Sequence, residues 1–547
     1  MNTRRRSFFD KFFPQNTLAK VFDNQISPPS KEIVALNRMT FGATKESTQR
    51  VKQIGLEAYI EEQLHPQDAQ DTKLNQILKD FTLETENEKG RKERFPFKYL
   101  YESVENLWKL REEGVSGEER ERPVLETLAA TWLRALHSKW QLREVLVEFW
   151  HNHFNVSFEA DDLVAFTFPV YDREVIRKHC LGNFRAFLEE VAKSTAMQYY
   201  LDNVYSRASP ANENYARELF ELHTLGADNY LNHLYDRWQE VPGAKEGKPV
   251  GYIDEDVYEA ARAFTGWTIA NGPNEKEEDN KVPNTGDFLY YDGWHDNYQK
   301  RVLGTEIPSN QSPMADGRKV LDLVAFHPAT ARFLSTKLCR RFIADEPPKP
   351  LIDKITQVWI KHQKSPDQIR QVVKAILTSP EFTQNWGQKV KRPLELLTSF
   401  CRALQLDDLP PQQVFELLAY MGYKMFHWDT PTGHPDVASY WVNSNMMLSR
   451  WNSILAMIYR EEEDENPSLS FSKKTPASAK TPTQITDFWI HEVLHQEVST
   501  NQRQKLVRFL AMDENPDQPL TGSPEEKEER IKSLIALLGM MPEFQKR

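Results

Sequence analysis

From Lys31 onward, apolar residues recur three and four positions apart along most of the chain, the spacing of helices that bury one face. The stretch from Pro123 to Trp150 shows it most clearly and predicts a buried helix. Few segments alternate apolar and polar residues in twos, so strands are expected to be minor. One hairpin is expected around Phe288-Leu289-Tyr290-Tyr291. The fold class this predicts is mainly α, a large multi-helical protein with few short strands. The Glu- and Lys-dense stretches Thr82 to Arg94 and Glu113 to Arg122 read as solvated helix ends or loops, and Ala270 to Asn284 as a long exposed loop. The clearest break is Glu461 to Gln484, an acidic run followed by Ser, Lys, Thr and Pro, which is linker composition. Four parts are therefore expected: a flexible basic-aromatic tail over 1–30, a main helical domain over 31–460, a disordered linker over 461–484, and a C-terminal helical segment over 485–547 that packs on the main domain.

Composition narrows the class. Of 547 residues, 39% are hydrophobic and 27% charged, as in a soluble globular protein rather than a disordered one. A net charge of −11 argues against a nucleic-acid-binding surface spread over the molecule. Cys180, Cys339 and Cys401 form no CxxC pair, which argues against a zinc knuckle or a disulfide scaffold. No run approaches the ~20 apolar residues of a membrane span. Arg4-Arg5-Arg6-Ser7-Phe8-Phe9 begins like a twin-arginine export signal, but Asp10, Lys11 and Pro14 interrupt the apolar segment that such a signal needs. A cytoplasmic location is expected, with export by the twin-arginine route as the alternative.

Several segments place titratable groups inside patterns otherwise built for burial. In Phe149-Trp150-His151-Asn152-His153-Phe154, a continuing helix puts His153 on the core face and His151 at its edge. A histidine there must hydrogen-bond or bind a ligand, and the pair are candidate metal ligands. Between Asn212 and Gly226, the residues Asn214, Arg217, Glu218 and Glu221 form one polar stripe beside Tyr215, Leu219 and Leu222, and Gly226 is placed to end the helix. Buried, such a stripe could do acid–base work, bind an anion or hold a metal. Asp254 or Asp256 can cap the helix leading to Trp267, with Glu259 in a capping box, and Arg262 can pair with the stripe. Trp294-His295-Asp296 offers a loop histidine beside a carboxylate, and the Arg and Lys residues between Arg332 and Arg341 form a basic cluster.

His491-Glu492-Val493-Leu494-His495 matches the zinc-protease pattern, but no later histidine exists to complete a ligand set, so the match reads as a decoy. No nucleophile elbow, P-loop or dinucleotide fingerprint is present.

Taken in order, FWHNHFNVS, KSTAMQYYLDN, NENYARELFELHTLG, DEDVYEAARAFTGW, WHDNYQKRVLG, HPATARFLSTKLCRRFIAD and MPEFQKR resemble the signature of a large bacterial family, domain of unknown function eighteen hundred. The resemblance spans roughly residues 31 to 547. It implies a helical protein, often exported, without an assigned reaction. It also implies a partner resembling the sulfatase and alkaline phosphatase fold, because such proteins are often encoded beside family members. Many members of the family carry Phe where His223 stands, and the family usually has Trp where His434 stands.

Two readings follow. In one, the protein is a scaffold or binding protein whose polar stripe is an internal ion-pair network. In the other it is a hydrolase-like enzyme with a cleft formed by distant stretches. Glu218, Glu221, His153, His295 and Asp296 would then act as catalytic groups, and Arg217, Arg262, Asn214 and Trp267 would contact substrate. His151 and His153 would take a divalent metal, the one candidate cofactor.

Overall fold

The computed structural model describes residues 28–86, 92–272, 282–407, 409–460 and 470–547. Helices dominate, and one continuous apolar core runs from Ile33 to Phe544. Helix α1 (Gly117–His137) starts where the Ser116 hydroxyl accepts from the Glu119 N–H, and it buries Trp132 completely. The run predicted as one helix is two. Asp71 accepts hydrogen bonds from the Ser138 hydroxyl (2.6 Å) and the Lys139 N–H (3.1 Å), pinning a break. Trp140 leaves the helical region, and α2 (Gln141–His153) follows. Helix α3 (Asp162–Val170) packs on α1 and runs into a wide π-type turn, Tyr171–Arg177. That turn follows Pro169, which has no N–H to give the helix ladder.

Three two-stranded antiparallel pairs are present among the described residues. The expected hairpin near Phe288 is there, as Asn284–Tyr290 against Trp267–Asn271. The intervening loop, 273–281, lies outside the described residues. A second pair, Thr82–Glu86 with Lys92–Pro96, stands where a solvated helix end or loop is expected. Its period-two alternation buries Leu83 on one face, and charge density masked that signal. The third, Lys300–Val302 with Thr305–Ile307, turns at Leu303-Gly304, both at positive φ. A side chain at Gly304 would meet the Ala244 carbonyl at 2.5 Å.

Helix α4 (Pro328–Phe342) carries Lys337 and Arg341 one turn apart, and α5 (Pro393–Leu404) packs across α1. After α6 (Ser444–Ile458), residues 461–469 lie outside the description. From residue 470 the stretch expected as linker is ordered, with a short helix, Phe471–Lys474, whose Phe471 is fully buried. Helix α7 (Pro482–Leu494) packs on α5, and α8 (Pro524–Met540) packs on α6. Lys546 forms a β-bridge with Val390, joining the end of the chain to the segment that leads into α5. No helix among the described residues is long and apolar enough to cross a membrane.

Candidate functional site

Helix α2 is the polar axis of an apolar body. Glu144, Glu148 and His151 lie four and three residues apart, so they form one row along it. All three are buried. Glu144 accepts from Arg177 at 2.8 Å, and Arg177 also reaches Asp172 at 3.3 Å. Asp172 takes Arg134 at 3.3 Å and His151 Nε2 at 3.0 Å. Burial alone would raise the Asp172 carboxyl, but Arg177, His151 and Arg134 together hold it far below its ordinary range. One turn along, Glu148 accepts from Arg392 at 2.5 Å and lies 3.5 Å from Arg341. Both arginines also contact Glu395, which Arg547 reaches at 3.0 Å. Glu395 is likewise held well below its usual range, the arginines outweighing burial. A cavity of about 20 Å³ lies between the two networks, space for about one water molecule.

The rest of the His-Asn-His stretch braces a loop. Asn152 donates to the His434 carbonyl at 2.7 Å and accepts from the His434 N–H at 2.5 Å. Asn155 donates to the carbonyls of Trp428 and Thr430. Ser157 meets His427 at 3.1 Å. Gly433, at φ +70°, lies so close that a side chain there would fall 2.1 Å from the Asn152 carbonyl.

His153 turns away from His151. Its Nε2 lies 3.2 Å from the His223 carbonyl and its Nδ1 3.0 Å from Lys337 Nζ. Burial, then Lys337, keeps its imidazole neutral well below the ordinary range. His223 is fully buried, and neither ring nitrogen has a hydrogen-bond partner among the described residues. Burial pushes it down to about 3.

The stripe on the Asn214–Glu218 helix is half-exposed, and a π-type turn, Leu219–His223, follows it. Arg217 pairs with Glu213 and Asp254 at 3.1 and 3.6 Å, and Asn214 lies exposed near Asp202. Burial, then the neighbouring Glu221, pushes the Glu218 carboxyl up to about 7 against the pull of Arg217. Gly226 ends the segment at φ +89°, its N–H reaching back to the Phe220 carbonyl.

Arg262 does not pair with that stripe. It grips Asp296 at 2.8 and 3.1 Å and Glu259 at 2.7 Å. His295 is fixed between the Thr265 carbonyl (2.8 Å) and Asp316 (3.2 Å), and Lys300 holds Asp316 at 2.7 Å. The acid that closes the cap of the Asp254–Ala263 helix is Asp256, accepting from the Ile253 N–H; Glu259 serves Arg262 instead. Trp267 is fully buried against Gly317. The seven residues expected to share one cleft thus fall apart: His151 on Asp172; His153 on Lys337 and the His223 carbonyl; Glu218 and Glu221 on the half-exposed stripe; and Arg262 with Asp296, beside His295. No hydrogen bond or ion pair among the described residues joins the His151, His153 and Arg262 groups.

The His491–His495 motif lines a groove of about 560 Å³ against Ile33, Lys45 and Lys52. Its helix ends at Leu494, and His495, at φ 53°, turns its Nε2 to the Ala43 carbonyl at 3.0 Å while His491 faces solvent. The two rings therefore do not share a helix face. No group of three or more His, Cys, Asp or Glu side chains among the described residues is gathered as a metal ion requires. The three cysteines are buried thiols.

Sequence reasoning missed Asp172, Arg177 and Glu395, and it placed Lys337 and Arg341 only in a basic cluster without their partners. A signal existed for their partners: Glu144, Glu148 and His151 recur at helical spacing inside an apolar run, and buried charges need counter-charges.

Fold and site together define a mainly α-helical protein whose long inner helix is locked by two buried ion networks. The chain matches the family model described as Protein of unknown function (DUF1800) over residues 34–546 and belongs to that family. No curated protein and no solved structure matches the chain.

Proposed function

We propose that this protein is a non-catalytic scaffold or binding protein that acts with a sulfatase-like partner. The observation that supports the reading is the use made of its buried polar groups. Glu144, Glu148, His151, Arg262, His295 and Asp296 all close on charges or carbonyls of the same chain. Side chains engaged in this way hold distant stretches together and are not free to take up a substrate. The partner comes from the family resemblance. The test mixes the purified chain with a purified sulfatase-like protein from the same genome and measures mass in solution. A stoichiometric complex is expected; two separate species at micromolar concentration would refute the partnership. We also place the protein in the cytoplasm, with twin-arginine export as the alternative, which cell fractionation distinguishes.

One observation favours a second reading, an acid–base hydrolase-like activity. Glu218, with its carboxyl near 7 and Glu221 beside it, can both give and take a proton at neutral pH. Any hydrolysis found on a panel of esters, phosphoesters and glycosides should then fall at least about a hundredfold in Glu218→Gln. Activity that survives this change would remove Glu218 from the chemistry.

A further inference from the structure

Lys337, His153 and His223 come from three separate stretches and meet where α2, α4 and the Leu219–His223 turn converge. Lys337 Nζ lies 3.0 Å from His153 Nδ1, and His153 Nε2 lies 3.2 Å from the His223 carbonyl. A carbonyl only accepts, so Nε2 carries the imidazole proton and Nδ1 offers its lone pair to the amine. Two buried lysines hold a carboxylate, Lys300 with Asp316 at 2.7 Å and Lys389 with Asp345 at 2.9 Å, whereas buried Lys391 lies over the Phe544 ring. Lys337 has no ion pair of that kind among the described residues, and its neighbours are a neutral imidazole and the Phe333 ring, 5.5 Å from Nζ. As a whole residue Lys337 is partly exposed, while its amine end lies against His153 and the Phe333 ring.

We propose that Lys337 is a reactive amine site that condenses with an aldehyde to form an imine. The nitrogen lone pair adds to the carbonyl carbon and makes the C–N bond. The carbonyl oxygen takes up both N–H hydrogens and leaves as water as C=N forms. Nothing is oxidised or reduced. His153 is a positioning residue that holds the amine through Nδ1. Burial supports the reactivity, because it pushes the Lys337 ammonium down to about 8, with Asp436 opposing, so that free amine exists at neutral pH. The inference is independent of the scaffold reading.

The test treats the native full-length chain with limiting isotope-labelled formaldehyde and cyanoborohydride between about pH 6.5 and 9.5, then quantifies each lysine by peptide mass. Lys337 is expected to label at least about tenfold faster than exposed Lys45 and Lys52 at pH 7, with a midpoint near 8. The signal should vanish in Lys337→Arg and persist in His223→Phe. Labelling no faster than Lys45 and Lys52, or only after urea is added, overturns the proposal. In His153→Gln the midpoint should move; an unmoved midpoint overturns the role given to His153.

Discussion

Asp172 sits buried among Arg134, Arg177 and His151, and the worth of that arrangement lies in its completeness. Removing one partner leaves uncompensated buried charge, which costs far more than an ion pair contributes. Asp172→Ala is therefore expected to destabilise the fold by about 3–5 kcal/mol in urea unfolding. His223 is the opposite case. Its two ring nitrogens, unpartnered among the described residues, are desolvated without return, so His223→Phe should leave stability unchanged or raise it by up to about 1 kcal/mol. Glu218 makes stability depend on pH. Folded, its carboxyl titrates near 7; unfolded, it titrates near the ordinary ~4.3. Between these values the folded chain holds the extra proton, so this contribution is full below the lower value and is lost as pH rises through the higher. Glu218→Gln should raise the melting temperature by roughly 1–2 °C at pH 8 and leave it unchanged at pH 4, the effect being small because partial exposure screens the charge.

At the scale of elements, α2 does two tasks at once. Its middle carries the ion networks, and its C-terminal end, with the residues just beyond, clamps the 427–434 loop through Asn152 and Asn155. The clamp depends on close approach of two backbones at Gly433. Gly433→Ala combines an unfavourable positive φ with a 2.1 Å clash against Asn152, and it should destabilise by about 1–3 kcal/mol. Hydrogen exchange is the sharper measurement, because faster exchange confined to 427–434 is expected. The Leu219–His223 turn also belongs to this scale. It carries Glu221 and His223 on a wider spiral than an ideal helix would, which is why a stripe read at 3.6 residues per turn predicts only part of its outcome.

Across the whole molecule, the C-terminal helices share the core of the main body. A side chain at Gly539 on α8 would meet the Phe400 ring of α5 at 2.6 Å, and Arg547 reaches Glu395. A protease site placed within residues 461–469 should therefore yield two fragments that co-elute and unfold in one transition. Separate elution, or two calorimetric transitions, would show independent domains.

The helical class, the burial of the Phe149–Phe154 face and the hairpin at Phe288 were legible in the sequence, because periodicity is a local property of the chain. The family was legible too, in its ordered motifs. Tertiary structure decided which charges meet. Arg392 lies 244 residues from Glu148, and no local pattern records that separation. Helix geometry alone parts His151 from His153, since rings two apart point roughly 160° away from each other, but only packing gave them Asp172 and Lys337 as partners. Spacing named the candidates for a shared site, but only packing could choose their partners, because counter-charges for buried groups come from whatever segments the core brings together.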